Sequence, residues 1–193
     1  PQLGENIGSS CRAMLNFGIT DLRLVNPRDG WPNKQANATA AGALENKEFN
    51  VTLSDDVKKA TGDISYLLAT SARSRGVNKP VFSIQEGIEK LIKAQKNGLN
   101  TAIIFGGEKS GLNNEDIVKA DALINIENNK NFSSINLSMS VLLICYEWFM
   151  NISKLNKKTH ALSNKDKSIA TKSELNFFIE KLISVLDNTN FFN

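Results

Sequence analysis

Three short, mostly apolar runs set most of what this chain can fold into: Tyr66-Leu67-Leu68-Ala69, Thr101 to Phe105, and Ala122 to Ile126. None alternates apolar with polar residues, so each reads as a strand covered on both faces. Helical patterns separate them, from Ser83 to Lys96 and from Asn113 to Lys119. Strands alternating with helices predict an α/β fold, a mostly parallel sheet with helices on both faces. The 193 residues suit one such domain with a short appendage, long enough to bury most of a core without staples.

The flanking pattern fills in the rest. Ile7, Cys11, Met14 and Leu15 share a helical spacing, which predicts a helix from Ile7 to Phe17. It follows a loop over Pro1 to Gly4 and stops at Gly18. Leu22 to Val25 reads as a strand closed by the turn Asn26 to Gly30. Ala36 to Leu44 reads as a small-residue helix, and Ser54 as the cap of another over Asp55 to Thr61. Ser134 is expected to open a long helix to about Ile152, with Leu137, Val141, Ile144, Cys145 and Trp148 inward. A domain over 1–152 would then pass into a polar linker, 153–172, and a helical extension, 173–193. An α/β unit normally begins with a strand, yet none precedes the first helix here. A further N-terminal strand is therefore expected ahead of Pro1.

Several functions are disfavoured. No apolar run approaches the ~18 residues of a membrane-spanning helix, and no membrane partner is expected. The N-terminus lacks a basic-then-apolar leader. Cys11 and Cys145 lie far apart in apolar segments and read as buried thiols rather than a disulfide or a metal site; this favours a reducing, cytoplasmic setting. The one histidine, His160, lies in a polar stretch and is a poor catalytic candidate. No metal is expected. The net charge of +3 permits a nucleic-acid partner without requiring one. Of 23 basic residues only Arg12, Arg23, Arg28, Arg73 and Arg75 are arginine, so arginine can mark places that need a planar fork.

Four loops stand out. Ile103-Ile104-Phe105-Gly106-Gly107-Glu108-Lys109-Ser110-Gly111-Leu112 runs a strand into a glycine turn. Gly106 and Gly111 have P-loop spacing, but Leu112 sits where the lysine must be. Glu108 likewise spoils a dinucleotide fingerprint. What remains is backbone that can approach a ligand closely, or a tight turn without one. Ala69-Thr70-Ser71-Ala72-Arg73-Ser74-Arg75 also leaves a strand at its carboxyl end, where ligands of open α/β sheets bind; its arginines are phosphate forks or solvated charges. Asn131 to Ser138 carries serines and asparagines that cap a helix or meet a ligand. Gly4 to Met14 places Arg12 about one turn into a helix, against the dipole, so a reason for it is needed.

Singly these are weak; their order is not. "ENIGSSCRAM", "TSARSR", "IIFGGEKSGL" and "FSSINLSMSVLLICYEW" resemble, in sequence order, the motifs of the SpoU branch of the SPOUT RNA methyltransferases. "LVNPRDGWP", "AAGA" and "YEWF" resemble its bacterial tRNA (cytidine/uridine-2′-O)-methyltransferase subgroup. The likeness covers about residues 1–152, and "ATKSELNFFIEKL" loosely resembles the start of that subgroup's C-terminal extension.

The resemblance implies a C-terminal deep trefoil knot, a homodimer with the site at its interface, and S-adenosylmethionine as methyl donor. It implies methylation of a ribose 2′-hydroxyl in RNA, with tRNA at nucleotide 32 of the anticodon loop as the expected substrate and ribosomal RNA as the alternative. Thr70, Ser71 and Ala72 would form one wall of the donor site; Gly106, Glu108 and Gly111 a second; Ile126, Ser133, Ser134 and Ile135 a third, with Leu137 beneath. Arg12, Asn6, Ser134 and Asn136 would serve catalysis, with Asn6 reaching in from its loop, and Arg73, Arg75 and Lys109 would grip RNA. Departures from the pattern are Gly107, where arginine or proline is usual, Lys109, where arginine is usual, a third loop without prolines, and Ile135 in place of leucine. A catalytically silent RNA-binding relative and an unrelated α/β nucleotide-binding protein remain as alternatives.

Overall fold

The structure is a computed structural model that describes residues 1–71, 78–157 and 172–189. Two compact units divide the chain, Pro1–Lys157 and Lys158–Asn193.

In the first unit α1 (Gly4–Asn16), β1 (Asp21–Val25), α2 (Lys34–Ala40), β2 (Asn50–Ser54) and α3 (Val57–Ala60) come first. They are followed by β3 (Tyr66–Thr70), β4 (Val81–Ser83), α4 (Ile84–Lys96), β5 (Thr101–Ile104), α5 (Asn114–Lys119), β6 (Ala122–Asn125) and α6 (Leu137–Lys157). All pairing between strands is parallel: β1 with β2, and a four-stranded sheet in the order β4-β6-β3-β5.

The period of two along β3 explains how both sheet faces are covered. Leu68 packs with Ile124 and with Ile88, Leu91 and Ile92 of α4 and Ile144 of α6 on one face. Leu67 and Ala69 pack with Leu123, Leu112 and Ile117 of α5 on the other. Ser83 starts α4 with a capping box: its hydroxyl accepts from the Glu86 N–H while the Glu86 carboxylate accepts from the Ser83 N–H. A third core joins α1 and α2 to Leu24, Phe49 and, from α6, Val141 and Cys145. Because α6 supplies Ile144 to the sheet core and Val141 and Cys145 to this one, it holds the two together.

Helix α1 lies against α2 at backbone distance. A Cβ at Gly4 would overlap the Asn33 side chain, and one at Gly8 the Ala36 carbonyl and Thr39 hydroxyl. Asn33 meanwhile caps α2, its Oδ1 accepting from the N–H groups of Gln35 and Ala36 at 3.0 and 3.1 Å. The two glycines of "GENIG" thus have a packing reason.

The structure departs from the sequence reading at several boundaries. Helix α1 begins at Gly4 rather than Ile7, so Asn6 is helical and buried rather than in a loop, and Arg12 lies more than two turns in. Residues 50–54 form a strand; the helix that follows starts after Asp56, whose carboxylate accepts from Lys59 N–H, and not after Ser54. Strand β5 is a half-buried edge of its sheet rather than a buried strand. Asn136, not Ser134, caps α6: its Oδ1 accepts from Ser138 N–H at 2.8 Å and Ser138 Oγ at 2.7 Å. Helix α6 also runs on to Lys157, five residues into the stretch read as linker; 158–171 lie outside the described residues, His160 among them.

In the second unit, α7 (Lys172–Asn188) is one helix. Phe177, Phe178, Leu182, Ile183 and Val185 are exposed on it.

The glycine contact predicts a stability difference. Gly8→Ala should cost about 1–3 kcal/mol, as overpacking does. Gly107→Ala, where a Cβ meets nothing within 4 Å, should stay within ~0.5 kcal/mol. Urea denaturation followed by circular dichroism reads both.

Candidate functional site

Because β6, β3 and β5 are adjacent and parallel, their carboxyl ends emerge side by side. Thr70 and Ser71 tie this edge together. The Thr70 hydroxyl donates to Ile104 O at 3.2 Å, and Ser71 N–H to Ile124 O at 3.0 Å. The Gly106–Gly111 turn that leaves β5 folds back on itself, with Gly111 N–H donating to Gly107 O at 2.9 Å. A Cβ at Gly106 would run into the backbone of Gly111 and Leu112, and Gly111 holds φ at 66°. The glycines therefore allow a self-packed loop whose backbone stays bare, with open space over Gly107. Beyond β6, Ile126 packs on the sheet core, Ser133 and Ser134 are exposed, Ile135 is half-buried, and Leu137 packs on the α1–α2 core.

One carboxylate connects these loops to the start of the chain. Glu108 Oε2 accepts from Gln2 N–H at 2.7 Å, and Oε1 accepts from Leu3 N–H at 3.1 Å and Asn6 Nδ2 at 3.0 Å. Leu3 is the N-cap of α1 and has no side-chain acceptor of its own; Glu108 supplies the anion a helix N-terminus favours. Asn6 Oδ1 then accepts from Asn136 Nδ2 at 3.0 Å, and Asn136 Oδ1 caps α6. A single hydrogen-bonded path thus runs from the glycine turn through α1 to α6. Burial raises the Glu108 pKa, but the hydrogen bonds from Asn6 and from backbone N–H groups, including Gln2 and Leu3, outweigh it and hold the carboxyl below its ordinary value.

On the other side of α1, Arg12 lies in a groove with Ser9, Ala13, Asn16 and, from α6, Ser138, Met139 and Leu142. Its guanidinium makes no ion pair or hydrogen bond among the described residues, whereas Arg23 is held by Asp21 and Asp63 and Arg28 by Asp29. Along α6, Met139, Leu142, Leu143, Tyr146 and Phe149 are all exposed, a continuous apolar stripe. Phe17 packs edge-on to Tyr146 at its margin. Cys11 and Cys145 are buried free thiols, and burial pushes both up to about 12, unsuited to nucleophilic or metal-binding roles.

Of the residues singled out from sequence, Asn6, Glu108 and Asn136 are joined directly. Thr70, Ser71, Gly106 and Ile126 share one sheet edge. Lys109 is exposed beside Glu108. Ala72, Arg73 and Arg75 lie outside the described residues. The backbone donors of Gln2 and Leu3 had no sequence signal, since their partner lies more than a hundred positions away.

The SpoU rRNA Methylase family model matches residues 1–146, and the chain belongs to that family, one of RNA methyltransferases. Among solved structures it is similar to TrmJ from Z. mobilis ZM4, at 38% identity and a TM-score of 0.71, covering 100% of this chain and 79% of that one. It is 38% identical to a Haemophilus influenzae protein described as an uncharacterized tRNA/rRNA methyltransferase, over 91% of this chain and 70% of that protein. It is also 38% identical to the tRNA (cytidine/uridine-2′-O-)-methyltransferase TrmJ of Photorhabdus laumondii, over 74% of this chain and 58% of that one.

The depressed Glu108 pKa makes a pH prediction. Its contribution is present above the unfolded-state value of about 4.3 and is lost as pH falls through the lower folded value. Glu108→Gln should therefore lower stability by about 1–2 kcal/mol at neutral pH. The gap to wild type should close below pH ~4. Denaturant titrations across pH measure this.

Proposed function

We propose that this protein transfers a methyl group from S-adenosylmethionine to a ribose 2′-hydroxyl of tRNA, at nucleotide 32 of the anticodon loop. The observation that carries the reading is that the carboxyl ends of β3, β5 and β6 emerge side by side at one sheet edge, tied by Glu108, Asn6 and Asn136 to the helix that bears Arg12. No metal enters the reading. Relatives 33–38% identical to this chain are tRNA (cytidine/uridine-2′-O-)-methyltransferases by name, which favours tRNA over ribosomal RNA.

The residues present fit the donor. Thr70, Ser71 and Ala72, then Gly106 and Gly111, then Ile126, Ser133, Ser134 and Ile135 would hold it, with Leu137 packed beneath. The bare backbone of the glycine turn suits a neutral adenosine and an amino-acid moiety, and the P-loop lysine that a phosphate would need is absent. When bound, the donor supplies an electrophilic methyl on a sulfonium. Glu108 acts beneath this wall, holding α1 in place.

The ribose oxygen must lose its proton, to water or to a phosphate oxygen of the RNA, as it becomes a methyl ether. A guanidinium does not give up its proton in proteins. Arg12 therefore orients the ribose and its phosphate and stabilises charge developing on the oxygen. Ser134 and Asn136 position the hydroxyl, and Lys109, Arg73 and Arg75 hold phosphates as point charge and forks.

The protein works as a homodimer in this reading. The apolar stripe on α6 needs a cover, a second copy supplies a self-complementary one, and the neighbouring groove would bring Arg12 to the partner's donor site. The chain is also taken to carry the family's trefoil knot. Support for this is that β6, the last strand, inserts between β3 and β4, which precede it in the chain. The domain covers the Pro1–Lys157 unit, with the helical extension beyond it. A cytoplasmic location follows from a tRNA substrate and reduced thiols; no helix among the described residues is long and apolar enough to cross a membrane.

Three experiments test this. With labelled donor and tRNA transcripts, Arg12→Ala should lower kcat ~10²–10³-fold and leave donor affinity unchanged; equal activity of the variant contradicts the role. Leu143→Glu should convert a dimer to an inactive monomer in analytical ultracentrifugation. Mass-spectrometric mapping should place the methyl at nucleotide 32, and a product found in ribosomal RNA alone would transfer the reading to that substrate.

A further inference from the structure

Phe132 is 76% exposed, the most exposed large apolar side chain among the described residues. It stands in the loop between β6 and α6, immediately before Ser133 and Ser134. A ring of this size normally buries its faces, so its exposure needs a reason.

The loop does not present Phe132 by accident of slack. Asn129 fixes the approach, its Oδ1 accepting from Asn131 N–H at 3.0 Å and its carbonyl from Phe132 N–H at 2.9 Å. On the far side Asn128 Nδ2 donates to Ser133 O at 2.9 Å. The ring is thus carried on a turn braced on both sides. Its surroundings are unlike the α6 stripe. Every residue from Glu127 to Ser134 is exposed, and apart from Phe132 they are asparagine, lysine, serine and glutamate.

A lone aromatic face set among amides and hydroxyls suits one planar partner with polar edges. A protein partner would ask for a contiguous apolar patch, which this loop lacks. An unpaired nucleobase offers a π face to stack and edges for Asn and Ser to hydrogen-bond. Lys130, exposed two residues earlier in the same loop, would add a phosphate contact of the right sign.

We propose that Phe132 is a stacking platform for an unpaired base of the RNA at the target ribose, and so a substrate-positioning residue. The inference rests on the RNA-methyltransferase reading and names a contact beyond it.

The test uses the full chain with an unmodified tRNA transcript. RNA affinity is read by fluorescence anisotropy with S-adenosylhomocysteine present, so that no turnover is needed. Phe132→Ala should weaken RNA binding and raise KM for RNA by roughly 5- to 150-fold, the effect of losing one base stack. Its kcat at saturating RNA and its donor affinity by calorimetry should match wild type. Phe132→Tyr and Phe132→Trp, which keep the ring, should restore both Kd and KM. The added tryptophan emission of Phe132→Trp should be quenched by acrylamide until RNA is added.

Unchanged Kd and KM in Phe132→Ala overturn the proposal. So does a tryptophan at this position that is shielded without RNA, because another surface then covers it. A wild-type protein that binds RNA but transfers no methyl contradicts the catalytic reading while the Kd ratio still decides this one. A wild-type protein that binds no RNA overturns both.

Discussion

A single carboxylate organises this molecule. Glu108 leaves a glycine turn at the sheet edge and takes hydrogen bonds from Gln2, Leu3 and Asn6 at the head of α1. Three donors on one anion are charge-assisted bonds, and removing the anion leaves all three unpaired in a half-buried place. The chain has no local substitute, since the N-cap of α1 is a leucine. The placement of α1 relative to the sheet edge thus depends on a residue that follows it by more than a hundred positions.

Everything attached to α1 inherits that placement. Gly4 and Gly8 let α2 settle against its backbone, and Asn6 hands the connection on to the cap of α6 through Asn136. Helix α6 is shared by two cores and cannot shift without disturbing both. Arg12 projects from this rigid assembly into a groove made with α6. Rigidity of that kind is what orienting a weak nucleophile requires, because misplacement of a fraction of an ångström costs catalysis.

How much of this could be read from the residues varied with the range of the interaction. The β3 and β6 runs are legible because burial on both faces leaves consecutive apolar residues, Leu67 to Ala69 and Ala122 to Ile124, and the Ser83 capping box because it is local. Strand β2 was missed: Asn50-Val51-Thr52-Leu53-Ser54 is largely exposed and looks like the approach to a helix. Strand β4 has only three residues, too few for any period. The start of α1 was set too late because its anion is supplied from elsewhere, and that error put Asn6 in a loop. Ser134 was taken as the α6 cap although Asn136, two residues on, holds that post. Motifs suggest which residues to look at, but no motif says that Glu108 bonds to α1.

The central claim is that the turns after β3, β5 and β6 enclose one methyl donor. A crystal structure with S-adenosylhomocysteine tests it most directly. The account predicts ligand density touching Thr70, the Gly106 turn and Ile135 together, with Glu108 still bonded to Asn6 beneath. Density at any other place, or contact with only one of the three turns, would contradict it.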